Sequence, residues 1–431
     1  MIQILDARGL DAAEAVLRNK PAEPDVTQAV AEILQAVKAE GDAALLRFTK
    51  QFDKAEISSL RVAQSEIEDA CQQVGPEFLG ILEQAAANIR AFHTRQKREG
   101  FIADGGPGVI MGQRVLPLAS VGVYVPGGTA AYPSTVLMDA IPAGIAGVRR
   151  VVMVTPPGKD GQINAGVLAA ASVAGVTEIY RIGGAQAVAA LCYGTQSIAR
   201  VDKIVGPGNL YVATAKRLVY GLVDIDMIAG PSDVLVVADE TATAEMVAAD
   251  MLAQAEHDPL ASAVLVTTSS ALAQQVQQQL PLQLSQLARK GIAEASIRNN
   301  GRILLAASLT QAMQIANEVA PEHLEICVED PFSWLPLAQN AGSVFLGHNT
   351  PEALGDYFAG PNHTLPTGGT ARFSSPLSVD DFVKKSSYLY YSKNALQAVG
   401  NSAAAFADAE GLNAHAASVR RRLAQSGEEV K

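Results

Sequence analysis

Apolar residues recur at helical spacing through the first hundred positions and then give way to short β-branched runs. Stretches 26–48, 65–71 and 78–96 read as helices, with Gly41-Asp42 and Pro76 as breaks. From about residue 120 each apolar run ends in Gly or Pro and is followed by a helix of small residues. Strands are predicted at 121–126, 150–155, 178–182 and 203–205, with helices at 135–148, 164–176 and 185–193 between them. A second series follows at 233–237, 263–266, 302–305 and 343–346, with helices near 244–257, 271–288 and 310–319. Two such series predict an α/β protein with two Rossmann-like parallel-sheet domains in tandem, preceded by a helical N-terminal region. From about Val379 the pattern turns helical and polar without strand alternation. An extended helical C-terminal tail is therefore expected, too thin to bury a core of its own.

A length of 431 residues allows two to three domains. The formal charge of −11 argues against a nucleic-acid partner, which would require a basic face. Arg149-Arg150 and Arg420-Arg421-Arg422 read as solvated faces or helix ends. The segment Met1 to Asp6 lacks the basic and apolar regions of a signal peptide, and the apolar stretch 165–176 is too short to span a bilayer. Cys71, Cys192 and Cys327 are few, odd in number and unpaired in spacing, which suits a reducing cytoplasm. Cys327 lies in the apolar run 324–328 and reads as a buried strand thiol.

Candidate chemistry gathers in the second half. Gln254 and His257, three apart, share one face of a helix that Asp258-Pro259 should end. They can approach one ion, or be a surface Gln and a His interacting with the helix dipole. Pro321 holds Glu322 and His323 on a connection into a strand, where they can divide acid and base work or form an exposed polar loop. Asp356 follows the final strand of the second series. His363, in a Gly/Pro-rich loop, is either a ligand or, the reading favoured, a structural His holding that loop, and His93 and His348 have no clustered partners. Glu410 and His415 are five apart, the wrong spacing for one helix face. Gly411 as a C-cap and Asn413 as an N-cap would nevertheless place both at one helix–helix junction. Four Gly-rich segments sit at predicted strand ends: 126–128, 183–186, 206–209 and 230–232. None is a dinucleotide fingerprint or a P-loop, so each is either a tight turn or part of a ligand site.

Nine segments together resemble the histidinol dehydrogenase family in the family's order, from about residue 115 to 415. They include Ala119-Ser-Val-Gly-Val-Tyr-Val-Pro-Gly-Gly128, Gly206-Pro-Gly-Asn209, Gln254-Ala-Glu-His257, Pro321-Glu-His-Leu324 and Leu412-Asn-Ala-His415. One departure is Asp233, after Ala229-Gly-Pro-Ser232, where the family pattern has Glu.

The resemblance implies an enzyme that oxidises L-histidinol through L-histidinal to L-histidine with two NAD+. One Zn²⁺ per subunit would be held by Gln254, His257, Asp356 and His415, orienting the substrate. Ser232, His323 and Glu410 would complete the substrate pocket, and NAD would rest against Tyr124, Gln186 and Asn209. His323 would act as general base and Glu322 would activate water. The implied assembly is a homodimer sharing its active sites through an exchanged tail. Residues 1–24 would form an N-terminal arm and 113–233 the NAD-side domain. Residues 25–112 with 234–378 would form the domain carrying most metal and catalytic residues, and 379–431 the tail. Two rivals stand beside this reading: a zinc hydrolase using Glu322, and a non-catalytic zinc-stabilised binder of small imidazoles.

Overall fold

The computed structural model describes residues 2–15, 25–127 and 131–425. The chain forms two compact units, one of 1–96 with 118–382 and the other of 97–117 with 383–431.

The larger unit is built on two parallel sheets. The first runs Glu178–Arg181, Arg150–Thr155, Ser120–Tyr124, Lys203–Val205, Asp224–Ile225 across the sheet. The chain thus starts in the middle and winds outward both ways, which leaves a crevice between Ser120–Tyr124 and Lys203–Val205 where the winding reverses. The second sheet repeats this order with Asp233–Ala238 in the middle, flanked by Ser262–Thr267 and His323–Cys327. Arg302–Leu305 and Ser343–Leu346 lie further out, and Gln3–Asp6 pairs with Arg302–Leu305 as an added edge. Asp233–Ala238 is buried along its whole length, as a central strand covered on both faces must be. Its Val-Leu-Val-Val run meets that demand. Several connecting helices start on side-chain caps: Asn164, Asn209, Ser269 and Ser308 each accept from a first-turn N–H.

The N-terminal helices are where expected, at Thr27–Glu40, Asp42–Phe48 and Gln64–Thr94. Gly41 (φ 61°) separates the first two, and Gly75 (φ 77°, ψ 164°) before Pro76 divides the third. Their partner differs from the expected one. Ile67, Leu82 and Ile89 share a core with Val121 and Met153, and Val30, Leu34 and Val37 share one with Val152 and Leu191. These helices therefore cover the first sheet, which corrects the grouping of 25–112 with 234–378. An apolar stripe shows that a helix packs, not on which sheet. The expected N-terminal arm contributes the edge strand Gln3–Asp6 and the short helix Ala12–Ala15; its residues 16–24 lie outside the described residues, as does Gly128 of the first Gly-rich segment.

The smaller unit also corrects an expectation. The tail begins with a nine-residue strand, Val383–Tyr391, antiparallel to Val109–Pro117, which pairs in turn with Phe101–Asp104. The residues of Val383–Tyr391 are mostly exposed on both faces, so no period-two alternation marked it as a strand. Helices Lys393–Ala409 and Asn413–Gln425 follow as predicted, packed where Leu423 lies against Gly400. Residues 426–431 of the tail lie outside the described residues.

Candidate active site

Three segments of the larger unit converge on the second sheet. Helix Ala244–Ala255 runs antiparallel to its neighbouring strands, so its C-terminal end, with Gln254 and then His257, arrives at the strands' amino ends. Asp233 and His323 are the first residues of adjacent strands and lie at that same end. The third segment, Glu352–Leu354 running into Gly355–Ala359, supplies Glu352 and Asp356. Ligand loops were expected at strand carboxyl ends. In the first sheet the glycine turns follow the strands' carboxyl ends, whereas in the second the cluster around His323 lies at the amino ends.

His323 is 3% exposed. Its Nε2 lies 3.4 Å from Asp356 Oδ1, and its Nδ1 lies 3.9 Å from Glu352 Oε2 and 4.0 Å from Glu322 Oε2. Burial disfavours the imidazolium, but the Glu352, Glu322 and Asp356 carboxylates outweigh it and hold the His323 pKa well above the ordinary value. Asp356 is the counterpart. Burial opposes its ionisation, yet His323 keeps its carboxyl below the usual range. Glu322, also buried, is pushed up to about 7 by burial and by the charges of Asp233 and Asp356. Glu352 is pushed up to about 8 in the same way. Burial lowers the His257 pKa.

Gln254 is fully buried. With its amide nitrogen turned to Glu352 it donates to Oε1 at 2.9 Å, while its oxygen accepts from the Asp233 N–H at 3.0 Å. One donor atom each from His257, Glu352 and Asp356 lies within 4.8 Å of the others. One imidazole and two carboxylates so close together fit a borderline divalent ion such as Zn²⁺. Glu352 was missed in the sequence because it stands alone after Pro351, with no motif spacing to a His. Behind it Glu325, two residues along the strand from His323 and on the same face, accepts the Glu352 N–H at 2.9 Å. His363 Nδ1 lies 2.9 Å from the Asp356 carbonyl and its Nε2 3.2 Å from Thr135 Oγ1.

A cavity of about 140 Å³ is lined by Gly206, Asp226, Ser232, Glu322, Thr364 and Thr367 among others. It joins a carboxyl-end loop of the first sheet to Ser232 and Glu322. Gly206 must be glycine: its φ is 111° and a Cβ would lie 2.1 Å from the Tyr124 carbonyl oxygen. Lys216 and Asp226, a buried ion pair, grip this turn. Lys216 Nζ donates to the Gly206 carbonyl at 3.0 Å, and the Gly206 N–H donates to Asp226 Oδ2 at 2.7 Å.

Of the residues expected to face NAD, Tyr124 ends a first-sheet strand, and its hydroxyl accepts the Gly184 N–H at 3.0 Å. Gln186 lies just beyond, its Oε1 buried without a partner. Asn209 caps the helix after Gly206-Pro-Gly208. An unfilled buried acceptor beside glycine turns fits a ligand rich in hydroxyl and amide donors, as NAD is. The geometry thus brings together Gln254, His257, Glu322, His323 and Asp356, with Ser232 on the adjoining cavity. Glu410 and His415 belong to the smaller unit, where both are exposed at the junction around Gly411 (φ 76°).

Residues 16–423 match the family model described as histidinol dehydrogenase. The histidinol dehydrogenase of Syntrophotalea carbinolica is 55% identical over 413 residues, covering 95% of this chain and 96% of the relative. That of Clostridium acetobutylicum is 53% identical over 399 residues, 93% of each. The crystal structure of histidinol dehydrogenase from Elizabethkingia anophelis superposes with a TM-score of 0.93 at 39% identity, covering 98% of both chains. The chain therefore belongs to the histidinol dehydrogenase family, NAD-dependent oxidoreductases of histidine biosynthesis.

Proposed function

We propose that the chain performs its two oxidations, L-histidinol to L-histidinal and L-histidinal to L-histidine, on the buried cluster around His323. The single observation that carries this reading is the position of His323 among Asp356, Glu352 and Glu322, at 3.4–4.0 Å. A base that takes up a proton becomes cationic, and three carboxylates stabilise that cation. His323 removes the hydroxyl proton of the alcohol as the hydride leaves carbon for NAD+, giving the aldehyde and NADH. Water then adds to the aldehyde carbonyl, with Glu322 accepting a water proton and protonated His323 returning its proton to the former carbonyl oxygen, which gives the hydrate and restores the base. Proton removal from the hydrate by His323 accompanies the second hydride transfer, to a second NAD+, and yields the carboxylic acid, which ionises to the carboxylate.

His257, Asp356 and Glu352 would hold Zn²⁺, with Gln254 beside them. The bound ion supplies a fixed point for the imidazole and amine nitrogens of the substrate. Enclosure of the aldehyde between the steps prevents its escape. Tyr124, Gln186 and Asn209 would line the NAD side, and Ser232 the substrate side.

A homodimer would complete the site, with His415 and Glu410 coming from a second copy of the chain. Support comes from the smaller unit, which exposes Ile102, Leu389, Tyr390 and Phe406 at 56–76%, an apolar surface that calls for a covering partner. The function is tested by following NADH absorbance with histidinol before and after chelation. NADH formation separates this reading from both the hydrolase and the imidazole-binding protein.

A further inference from the structure

A second buried acceptor without a donor lies beside Tyr124, and it comes from a segment outside all nine matched motifs. Thr49–Asp53 is a single π-helical turn, a form enriched at functional positions. It ends at Lys54, which is one of two non-glycine residues with positive φ (59°) among those described. The carboxylate Oδ2 of Asp53 is buried and has no hydrogen-bond partner. Burial pushes the Tyr124 hydroxyl up to about 12, with a smaller push from the Asp53 charge, and burial pushes Asp53 itself up to about 6.

The chain path explains how Asp53 reaches that place. Leu60 accepts the Arg181 N–H at 2.8 Å, and the Val62 N–H donates to Ile179 at 2.9 Å, an antiparallel bridge along Glu178–Arg181. Residues before Leu60 therefore continue past the carboxyl end of that strand. Ile57 confirms the direction by lying against Gly161, where a Cβ would meet its side chain at 3.1 Å. Asp53 thus stands over the strand ends where Gly184 donates to Tyr124 and where Gln186 Oε1 is likewise unpartnered.

Two buried acceptors around one tyrosine, with no protein donor for either, call for a ligand that brings donors. We infer that Asp53 accepts a hydrogen bond from a ribose hydroxyl of bound NAD and is a cofactor-binding residue of this enzyme. A carboxylate at strand carboxyl ends is the group that dinucleotide-binding sheets use for ribose. Here it arrives from a helix before the sheet rather than from a strand within it. The inference rests on the reading of Tyr124, Gln186 and Asn209 as the NAD side.

The experiment measures NAD affinity of the zinc-loaded enzyme directly by calorimetry and kinetically as KM, for Asp53→Ala, Asp53→Asn and Gln186→Ala. Asp53→Ala should weaken NAD at least about tenfold, the scale of a hydrogen bond to a charged acceptor. The KM for histidinol and the zinc content should stay unchanged, and Tm should hold or rise, because an unpaired buried carboxylate is removed. NAD analogues lacking one ribose hydroxyl at a time provide the decisive arm. For one of them the native enzyme should lose affinity while Asp53→Ala loses nothing further. Unchanged NAD affinity in Asp53→Ala, or equal losses in native and variant enzymes for every analogue, overturns the proposal. If Gln186→Ala weakens NAD while the Asp53 variants do not, only Asp53 is excluded. If neither variant weakens NAD, the NAD-side assignment fails as well. Should the alanine variant fold poorly, Asp53→Asn with the same analogues decides.

Discussion

Glu322 and Asp233 are bonded to each other twice, each side chain to the other's main chain. Glu322 Oε2 accepts the Asp233 N–H at 3.1 Å, and Asp233 Oδ1 accepts the Glu322 N–H at 2.7 Å. Asp233 opens one strand and Glu322 immediately precedes its neighbour, so this exchange fixes the carboxyl group that faces the cavity. In the sequence Asp233 stood out only as a departure from the family pattern that the chain resembles. In the structure it is the orienting partner of the proposed water-activating group.

Asp233→Ala would leave the Glu322 N–H buried without that acceptor. The expected cost is about 1–3 kcal/mol of stability, together with a slower aldehyde step as Glu322 loses its fixed orientation. Urea unfolding and steady-state rates with histidinal check both; an unchanged midpoint would contradict the pairing's structural weight.

Zinc removal should abolish oxidation and leave the fold largely intact, because two covered sheets stand without one ion. Glu352→Gln should lower zinc affinity about 10–100-fold. Competition with a chromophoric chelator measures the affinity, and circular dichroism monitors the fold. Full activity in a demonstrably metal-free preparation would remove the metal from the account.

Asp139 supplies a pH dependence of stability away from the metal residues. Its Oδ1 accepts from the Thr364 hydroxyl at 2.7 Å, whereas Oδ2 is buried without a partner. Burial, reinforced by the Asp226 charge, pushes its pKa up to about 8 from an ordinary 3.8. Between those values the folded chain binds a proton that the unfolded chain releases. This group's contribution to stability therefore falls as pH rises from about 4 to 8 and is level above that. Asp139→Asn should gain stability relative to the native chain across this range, measured as urea midpoints at pH 5, 7 and 9. A difference independent of pH would contradict the shift.

How much was legible varies with the range of the interaction. The two sheets could be read because runs such as Asp233–Ala238 carry their own apolar signal and their turns carry glycine. Gln254, His257, Glu322 and His323 stood out through local spacing. Glu352 and Asp53 did not, since each is recruited by a contact far away in sequence. Nor did Val383–Tyr391, whose partner strand lies some 270 residues earlier. The N-terminal helices were visible as helices, but the choice of sheet lies in shape complementarity that no periodicity encodes.

Exchange of the tail predicts complementation. An inactive His415→Ala chain mixed with an inactive His323→Asn chain, under conditions that allow subunit exchange, should regain activity. Some mixed dimers would then hold one intact site beside a doubly defective one. Proven heterodimers without recovery would mean that each chain completes its own site.

The division of labour between His323 and Glu322 is tested most directly by steady-state NADH formation from histidinol and from histidinal, compared in His323→Asn and Glu322→Gln. His323→Asn should lower both rates by about 10²–10⁴-fold, the range of general-base catalysis. Glu322→Gln should slow histidinal oxidation far more than histidinol oxidation. Equal losses on both substrates in the Glu322 variant, or near-native rates in the His323 variant, would contradict it.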